Sequence, residues 1–580
     1  MAGALLVGAW VPAFAAEAAT PAGPVPAQLF DVLANGTPLD ALVLQKLKAD
    51  GIPPSELCPD AVFVRRVFLD TIGTLPTPPE VRAFLADQAS DKRARLIDSL
   101  LTRNEFAEYL GLRWGDLLRV KSEFPSNLWP NAVQAYDRWI RDSFLANKPY
   151  DQFVRELLTA SGSNFRSPPA NFYRAFQERS PQRIAENVAL LFMGLRLDGK
   201  SGLTEAQVLG LSAFFAQLGY KNTDEWKEEI VFFNPAGKLV DAKTQAAVLP
   251  TVPAGRPPRL APDTDPRIAF ADWLTSPANP WFARCMANRV WYWLLGRGIV
   301  HEPDDMRPAN QPWSPALLAY LEKELAGHKY DLKHVYRLIL NSKTYQLSAK
   351  PNPWNVADTA GFSHYRIRRL DAEVLLDAIN QVLGTGEKYS SEIPEPFTFL
   401  PFDQRAIALA DGSIESTFLE LFGRPPRNSS FESERTAMPS VFQAQHLLNA
   451  SHIQKKIEQS LVIRQLATGQ KIDKPKLGVN NGAGLGKGQN GGKGKGKGKG
   501  GKNAEELVPG GVKKPLVLTA AEESPRLVEM LYLRILSRFP TAAEKRVAEE
   551  YLKSPKRKSA ESVFDLVWAL LNSKEFLLKH

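Results

Sequence analysis

At 580 residues the chain exceeds one ordinary domain, and roughly two to four domains are expected. Its 44% hydrophobic and 10% aromatic content is enough for sizeable cores and excludes global disorder. The net charge of +9 suggests nucleic acid, but Lys487, Lys493, Lys495, Lys497, Lys499 and Lys502 lie in one Gly-Lys tract, and 9 less 6 leaves only +3 elsewhere, no basic footprint for specific nucleic-acid binding.

In chain order, residues 1–15 read as a secretory signal peptide: an apolar run ending in Ala13-Phe14-Ala15, the small-x-small pattern of a cleavage site. No Lys or Arg precedes the run. A buried N-terminal helix is the alternative, but Pro12, Pro21, Pro24 and Pro26 suit a mature N-terminus better than a helix. An exported protein, in the periplasm or at the cell surface, is therefore expected. No other segment approaches the apolar length of a transmembrane span, about 18 residues.

The first unit, 27–236, is expected to be helical. In FVRRVFLDTIGTL, Phe63, Val67, Leu69 and Ile72 recur near helical spacing up to Gly73. Thr77-Pro78-Pro79-Glu80 then has the form of a capping box with Pro at the first helical position. The segment FLDTIGTLPTPPE (68–80) is echoed by YLRILSRFPTAAE (532–544), and each copy runs on to a Leu-Leu…Glu-Phe ending, at Phe106 and Phe576. Two related helical hairpins, at opposite ends of the chain, are expected. A second echo joins Lys148-Pro149-Tyr150-Asp151 to Lys329-Tyr330-Asp331, each opening a helix with Asp at its positive end. Trp114, Trp129, Trp139, Trp273, Trp281, Trp291 and Trp293 read as core packing rather than a ligand platform. Residues 219–233, with EEIVFF, are the one place where a strand or two is expected.

A Pro-rich connection spans 237–264 and a second helical unit 265–467. Residues 468–514 form a Gly/Lys-rich flexible linker, and 515–580 a terminal hairpin completing the second unit. The tract reads either as a spacer or as a salt-sensitive contact for acidic polymers. The fold class expected is mainly α, multi-helical, with few or no strands.

At this point the motifs carry a likeness. FVRRVFLDTIGTLPTPPEVRAFL and PYDQFVRELLTAS resemble the domain of unknown function 1549, a planctomycete cytochrome-associated family. DPRIAFADWLTSPANPWFARCMANRVWYWLLGRGIVHEPDDM, YDLKHVYRLILNSKTYQLS, RRLDAEVLLDAI and LLNSKEF resemble its habitual partner, the domain of unknown function 1553. The resemblance implies an exported, planctomycete-type protein whose activity is unestablished. Many relatives carry CxxCH after a Gly-x-Arg segment, implying haem or metal; here the stretch is Gly194-Leu195-Arg196-Leu197-Asp198-Gly199-Lys200. Relatives also often have Cys-x-Cys before Glu-Arg, where this chain has Phe431-Glu432-Ser433-Glu434-Arg435. The redox role is therefore not carried over.

The only cysteines, Cys58 and Cys285, leave no thiolate-rich zinc site; one disulfide between them and two buried thiols are both open readings. No haem, other cofactor or metal is expected. Candidate chemistry falls in three groups. His301, Glu302, Asp304 and Asp305 could serve acid–base work or hold a hard cation, the alternative being a turn whose Asp caps the next helix. Arg284, Asn288 and Trp291 share a helix face, with Arg289 and Arg297 nearby. They form either a buried network or a grip for carboxylate or phosphate. Glu432, Glu434, Arg435 and His446 form the third group, His446 reading as a core histidine. No GxGxxG, P-loop, GxSxG or HExxH accompanies them. The function expected is a haem-free structural or interaction protein of the cell envelope, binding an envelope protein or polysaccharide. A carbohydrate hydrolase using second-unit carboxylates such as Glu302 and Asp304 is the alternative.

Overall fold

A computed structural model describes residues 25–254, 258–260, 263–394, 397–449, 451–468, 523–553 and 559–580. The expected signal peptide and, beyond Thr468, the Gly/Lys-rich linker lie outside the described residues. The fold is mainly α, with 23 α-helices and five short strands among the described residues. None of those helices is long and apolar enough to cross a membrane.

The sequence echo is a structural repeat. In the first copy the helix Asp60–Thr71 ends, the chain turns at Gly73, and the helix Pro78–Ala86 begins; the second has Glu523–Ile535, a turn at Ser537, and Ala542–Leu552. Gly73 and Ser537 occupy matching places and share a left-handed backbone, φ 62° and 59°. That conformation is free for Gly and costly for Ser, so the turn is imposed by its surroundings in the second copy. Glu80 and Glu544 each accept from the amide of their N-cap threonine at 2.8 Å, as the capping-box pattern predicts.

The two copies also touch. Arg65 donates to the carbonyls of Ile535 and Phe576, both at 2.9 Å, and Arg82 pairs with Glu529 at 2.6 Å. The second echo behaves likewise: the Tyr150 amide donates to the Tyr330 carbonyl at 3.0 Å, and the Asn147 side chain to Asp331 at 3.1 Å. Each repeated element thus packs on its counterpart.

The expected strands are present. Leu218–Asn222 pairs antiparallel with Glu229–Phe233, whose other edge takes Gly162–Ser163. Trp114 and Trp291 are fully buried and Trp273 and Trp293 nearly so, as core packing requires, whereas Trp139 and Trp281 are only partly buried against that core and Trp129 is partly exposed outside it.

Apolar burial is divided differently from the sequence. One core draws on residues from Leu33 to Val231 and from Phe270 to Tyr365, with Ala410. The other draws on Leu370 to Leu577, together with Leu69, Leu75, Tyr109 and Leu112. The cores meet where the strand Arg368–Arg369 pairs with Leu578–Lys579. Charged side chains inside apolar runs collect at this seam.

Candidate functional site

The helix Phe282–Leu295 carries most of the binding candidates. Asn279 caps its start, accepting from the amides of Trp281 and Phe282 at 3.0 Å, and Gly296 ends it with a left-handed φ of 78°. Twelve of its 14 residues are buried, so Asn288 and Arg289 enter the interior and must find partners there.

They do. Asn288 brackets Val300, donating to its carbonyl at 3.0 Å and accepting from its amide at 2.9 Å. Arg289, with no exposed surface, donates to the Leu191 carbonyl at 2.8 Å and to Asp304 at 3.1 Å. Its Nε lies 3.5 Å from Glu432, which in turn accepts from Trp293 Nε1 at 2.8 Å. Asp304 also accepts from the Glu432 amide at 2.7 Å. The Arg289–Asp304–Glu432 cluster therefore ties the helix Phe282–Leu295, part of the first core, to a segment lying between Phe422 and Leu447 of the second. Arg284 and Arg297 do not join it. The former is partly exposed and pairs with Glu322 at 3.0 Å. Arg297 is half-buried, and burial lowers its pKa.

The acid–base candidates separate. Asp304 is 1% exposed, whereas the Glu302 side chain is 51% exposed and only 3.7 Å from His301. Asp305 pairs with Arg307 at 2.6 Å. Burial, and then the Arg297 charge, push the His301 pKa down. Asp304 caps no helix: the next one, Pro315–Gly327, is capped by Ser314, ten residues on, while Asp304 serves the buried Arg289.

Burial pushes the Glu432 carboxyl up to about 7, with Arg289 opposing and Asp304 reinforcing the shift. Cys285 is pushed up to about 11, chiefly by burial, which removes it as a nucleophile. Cys58 and Cys285 are both free and buried, so the disulfide considered for them is not formed. Cys58 is held at its backbone by the Gln346 carbonyl, while Cys285 faces the Leu191 carbonyl. The Gly194 segment is packed close. Gly194 has φ 64°, its carbonyl accepts from the Met306 amide at 2.7 Å, and a side chain there would strike Met306 at 2.6 Å.

The third constellation splits. Glu432 joins Arg289, while Arg435 pairs with Asp116 and Glu373, each at 2.6 Å, and Glu434 accepts from the Ser429 amide at 2.6 Å. His446 packs edge-on against Phe418 and Phe422, but its Nε2 has no hydrogen-bond partner.

Sequence reasoning missed the rest of the seam. Asp70 accepts from Lys579 and Arg368 at 2.9 Å and from the hydroxyls of Tyr345 and Tyr365 at 2.9 and 2.7 Å. Arg113 pairs with Asp371 at 2.6 Å, and Tyr109 donates to the same carboxylate at 2.8 Å. Burial alone would raise Asp371, but Arg113, Lys579 and Arg435 reverse this and hold it well below the usual carboxylate range. A cavity of about 10 Å³ between Asp70, Arg113, Trp293 and Tyr336 is at the lower limit for one water. The available signal was a lone charge inside an apolar run: Asp70 in VFLDTI and Lys579 in FLLKH.

A second, open feature is a cleft of about 360 Å³ lined by Glu80, Arg103, Glu105, Asp377, Asp403 and Arg405, among others. Both Asp377 oxygens are occupied by the amides of Ala406 and Ile407, at 2.7 and 3.0 Å, yet burial pushes its pKa up to about 6. Outside both features, Glu324, His328 and His334 are the one group of three ligating side chains close enough to share an ion among the described residues.

Residues 38–199 match the family described as protein of unknown function (DUF1549), and residues 266–552 that described as protein of unknown function (DUF1553). No curated protein and no solved structure matches the chain. The helix bearing Asn288 and Arg289, with its Asp304 partner, lies within the second match, whereas Asp70 and Arg113 lie within the first. The first core itself draws on both matches, and the chain belongs to the proteins that join these two domains of unknown function.

Proposed function

We propose that this is an exported, planctomycete-type helical protein with a structural or interaction role in the cell envelope, working without haem and binding through its surface. The observation that carries this reading is the Arg289–Asp304–Glu432 cluster. Of the nominated carboxylates, Asp304 is enclosed with Arg289 and Glu432, and each of these three has a hydrogen-bond partner. A hydrolytic pair needs two carboxyl groups converging on one substrate from about 5–10 Å apart; Glu302 faces solvent while Asp304 is enclosed.

Support for binding comes from an aromatic cluster formed by three distant segments. Trp226, 59% exposed, lies edge-on to Trp129 at 4.6 Å between ring centres, with Phe397 at 6.1 Å and Lys227 over both tryptophans. Flat aromatic faces of this kind suit the apolar face of a sugar ring, which favours polysaccharide among envelope partners. Export rests on the apolar leader and Ala13-Phe14-Ala15.

The test is co-sedimentation of purified protein with insoluble envelope polysaccharide. Binding should be retained by the wild type and reduced at least ~10-fold by Trp226→Ala. Absence of binding, together with turnover on a glycan panel, would reverse the reading in favour of an envelope hydrolase. One observation favours that second reading: the 360 Å³ cleft with Asp377 poised at about 6. A Soret band in the purified protein would contradict the haem-free assignment.

A further inference from the structure

The helix Pro315–Gly327 presents Glu324 on its last turn, with His328 one turn further along. Two consecutive left-handed residues, Lys329 and Tyr330 (φ 55° and 57°), then reverse the chain so that the helix Leu332–Asn341 begins beside the end it has just left. This turn is anchored. The Tyr330 hydroxyl donates to the Thr275 carbonyl at 3.1 Å, and Asp331 caps the new helix by accepting from the His334 amide at 3.3 Å. His334 is thereby returned over His328, their rings stacked with centres 3.6 Å apart.

We infer that Glu324, His328 and His334 form a binding site for a divalent transition metal, zinc or copper in class. His334 Nε2 lies 2.9 Å and His328 Nδ1 3.4 Å from the same carboxylate oxygen of Glu324, and one ligand atom from each residue falls within 4.8 Å of the others. Ligand atoms around a tetrahedral zinc ion, at about 2.0–2.1 Å from it, sit about 3.3 Å apart. The 3.4 Å spacing already matches and the 2.9 Å one is slightly short. The remaining adjustment is a fanning apart of the stacked rings, and His328, whose side chain is 51% exposed, is free to make it.

Two imidazoles and one carboxylate select zinc or copper over calcium or magnesium, which require oxygen-rich shells. The exposed side of His328 leaves the fourth position to water, as in three-ligand zinc sites. His328 Nδ1 also lies 2.9 Å from the Glu324 carbonyl. The spacing Glu-x3-His-x5-His belongs to no standard metal motif, so the site is made by the turn and not announced by the sequence.

The test is calorimetric titration of untagged, chelator-treated full chain with Zn2+ at fixed pH, in two buffers of different ionisation enthalpy. One saturable equivalent is expected, with the same stoichiometry in both buffers. His334→Ala should weaken it at least ~10-fold and the His328→Ala/His334→Ala pair should abolish it, while His446→Ala leaves it unchanged. A readout independent of variants is Cu2+ electron paramagnetic resonance on the wild type, in which hyperfine lines from two imidazole nitrogens are expected. No saturable binding, equal binding by the double variant, or a copper signal without nitrogen coupling would each overturn the site.

Discussion

Replacing Arg289 with Met keeps most of the side-chain volume and removes the charge from the middle of the seam. Three interactions go with it: the bond to the Leu191 carbonyl at 2.8 Å, the bond to Asp304 at 3.1 Å, and the 3.5 Å contact with Glu432. Two carboxyl groups are then left buried without a cation. Removing one partner of a buried ion pair costs about 3–5 kcal/mol, because the stranded charge has no solvent to turn to. Asp304 retains the Glu432 amide and Glu432 retains Trp293, which places the loss toward the lower end of that range. The loss should also depend on pH. Glu432, already poised at about 7, escapes the penalty by taking a proton, so Arg289→Met should destabilise more at pH 8 than at pH 5. Urea unfolding followed by tryptophan fluorescence reads the effect, since Trp291 and Trp293 lie on the same helix. Adding Asp304→Asn to Arg289→Met should recover part of the loss, giving a coupling on the order of 0.5–3 kcal/mol. A loss below ~0.5 kcal/mol, the size of an ordinary surface substitution, would refute the reasoning, as would equal losses at both pH values.

Two further predictions concern the same seam. The folded protein holds a proton on Glu432 up to about pH 7, while the unfolded chain releases it near the ordinary glutamate value. Stability from this group is therefore fully present below about pH 4.5 and is lost as pH rises to about 7, a change on the order of a few kcal/mol. Glu432→Gln should flatten that part of the stability–pH curve; an unchanged slope would contradict the assignment. Lys579→Met leaves Asp70 with Arg368 and two tyrosine hydroxyls, and should cost about 3 kcal/mol while loosening the Arg368–Arg369 pairing with Leu578–Lys579. Limited proteolysis should then trim the C-terminal residues before any other segment, and wild-type resistance would count against the seam.

Much of this was legible in the sequence, and the reason is local. The Thr-Pro-Pro-Glu and Thr-Ala-Ala-Glu starts depend only on residues three apart, so both capping boxes could be read directly. EEIVFF carries its own strand preference and pairs with its near neighbour Leu218–Asn222. Arg289 and Asn288 could be nominated because polar residues in an apolar helix need partners. Which partner was not readable: Arg284, on the shared face, goes out to Glu322, while Arg289 takes Asp304 and approaches Glu432, 143 positions along the chain. The division of apolar burial near residues 365–370 was hidden for the same reason. It brings together segments far apart in the chain, as where Asp70 meets Lys579, and no local pattern encodes such a contact. His328 and His334 were silent because their meeting depends on two left-handed residues, neither of them glycine.

The central claim is that the Arg289–Asp304–Glu432 cluster fastens the helix Phe282–Leu295 to the Glu432 segment and opens only when the cores do. Native-state hydrogen exchange at the Glu432 amide, which donates to Asp304 at 2.7 Å, tests this most directly. The account predicts that this amide, though it lies in a short non-α segment, exchanges as slowly as the core amides of the helix Phe282–Leu295. Exchange at the rate of an open loop, with that helix still protected, would contradict it.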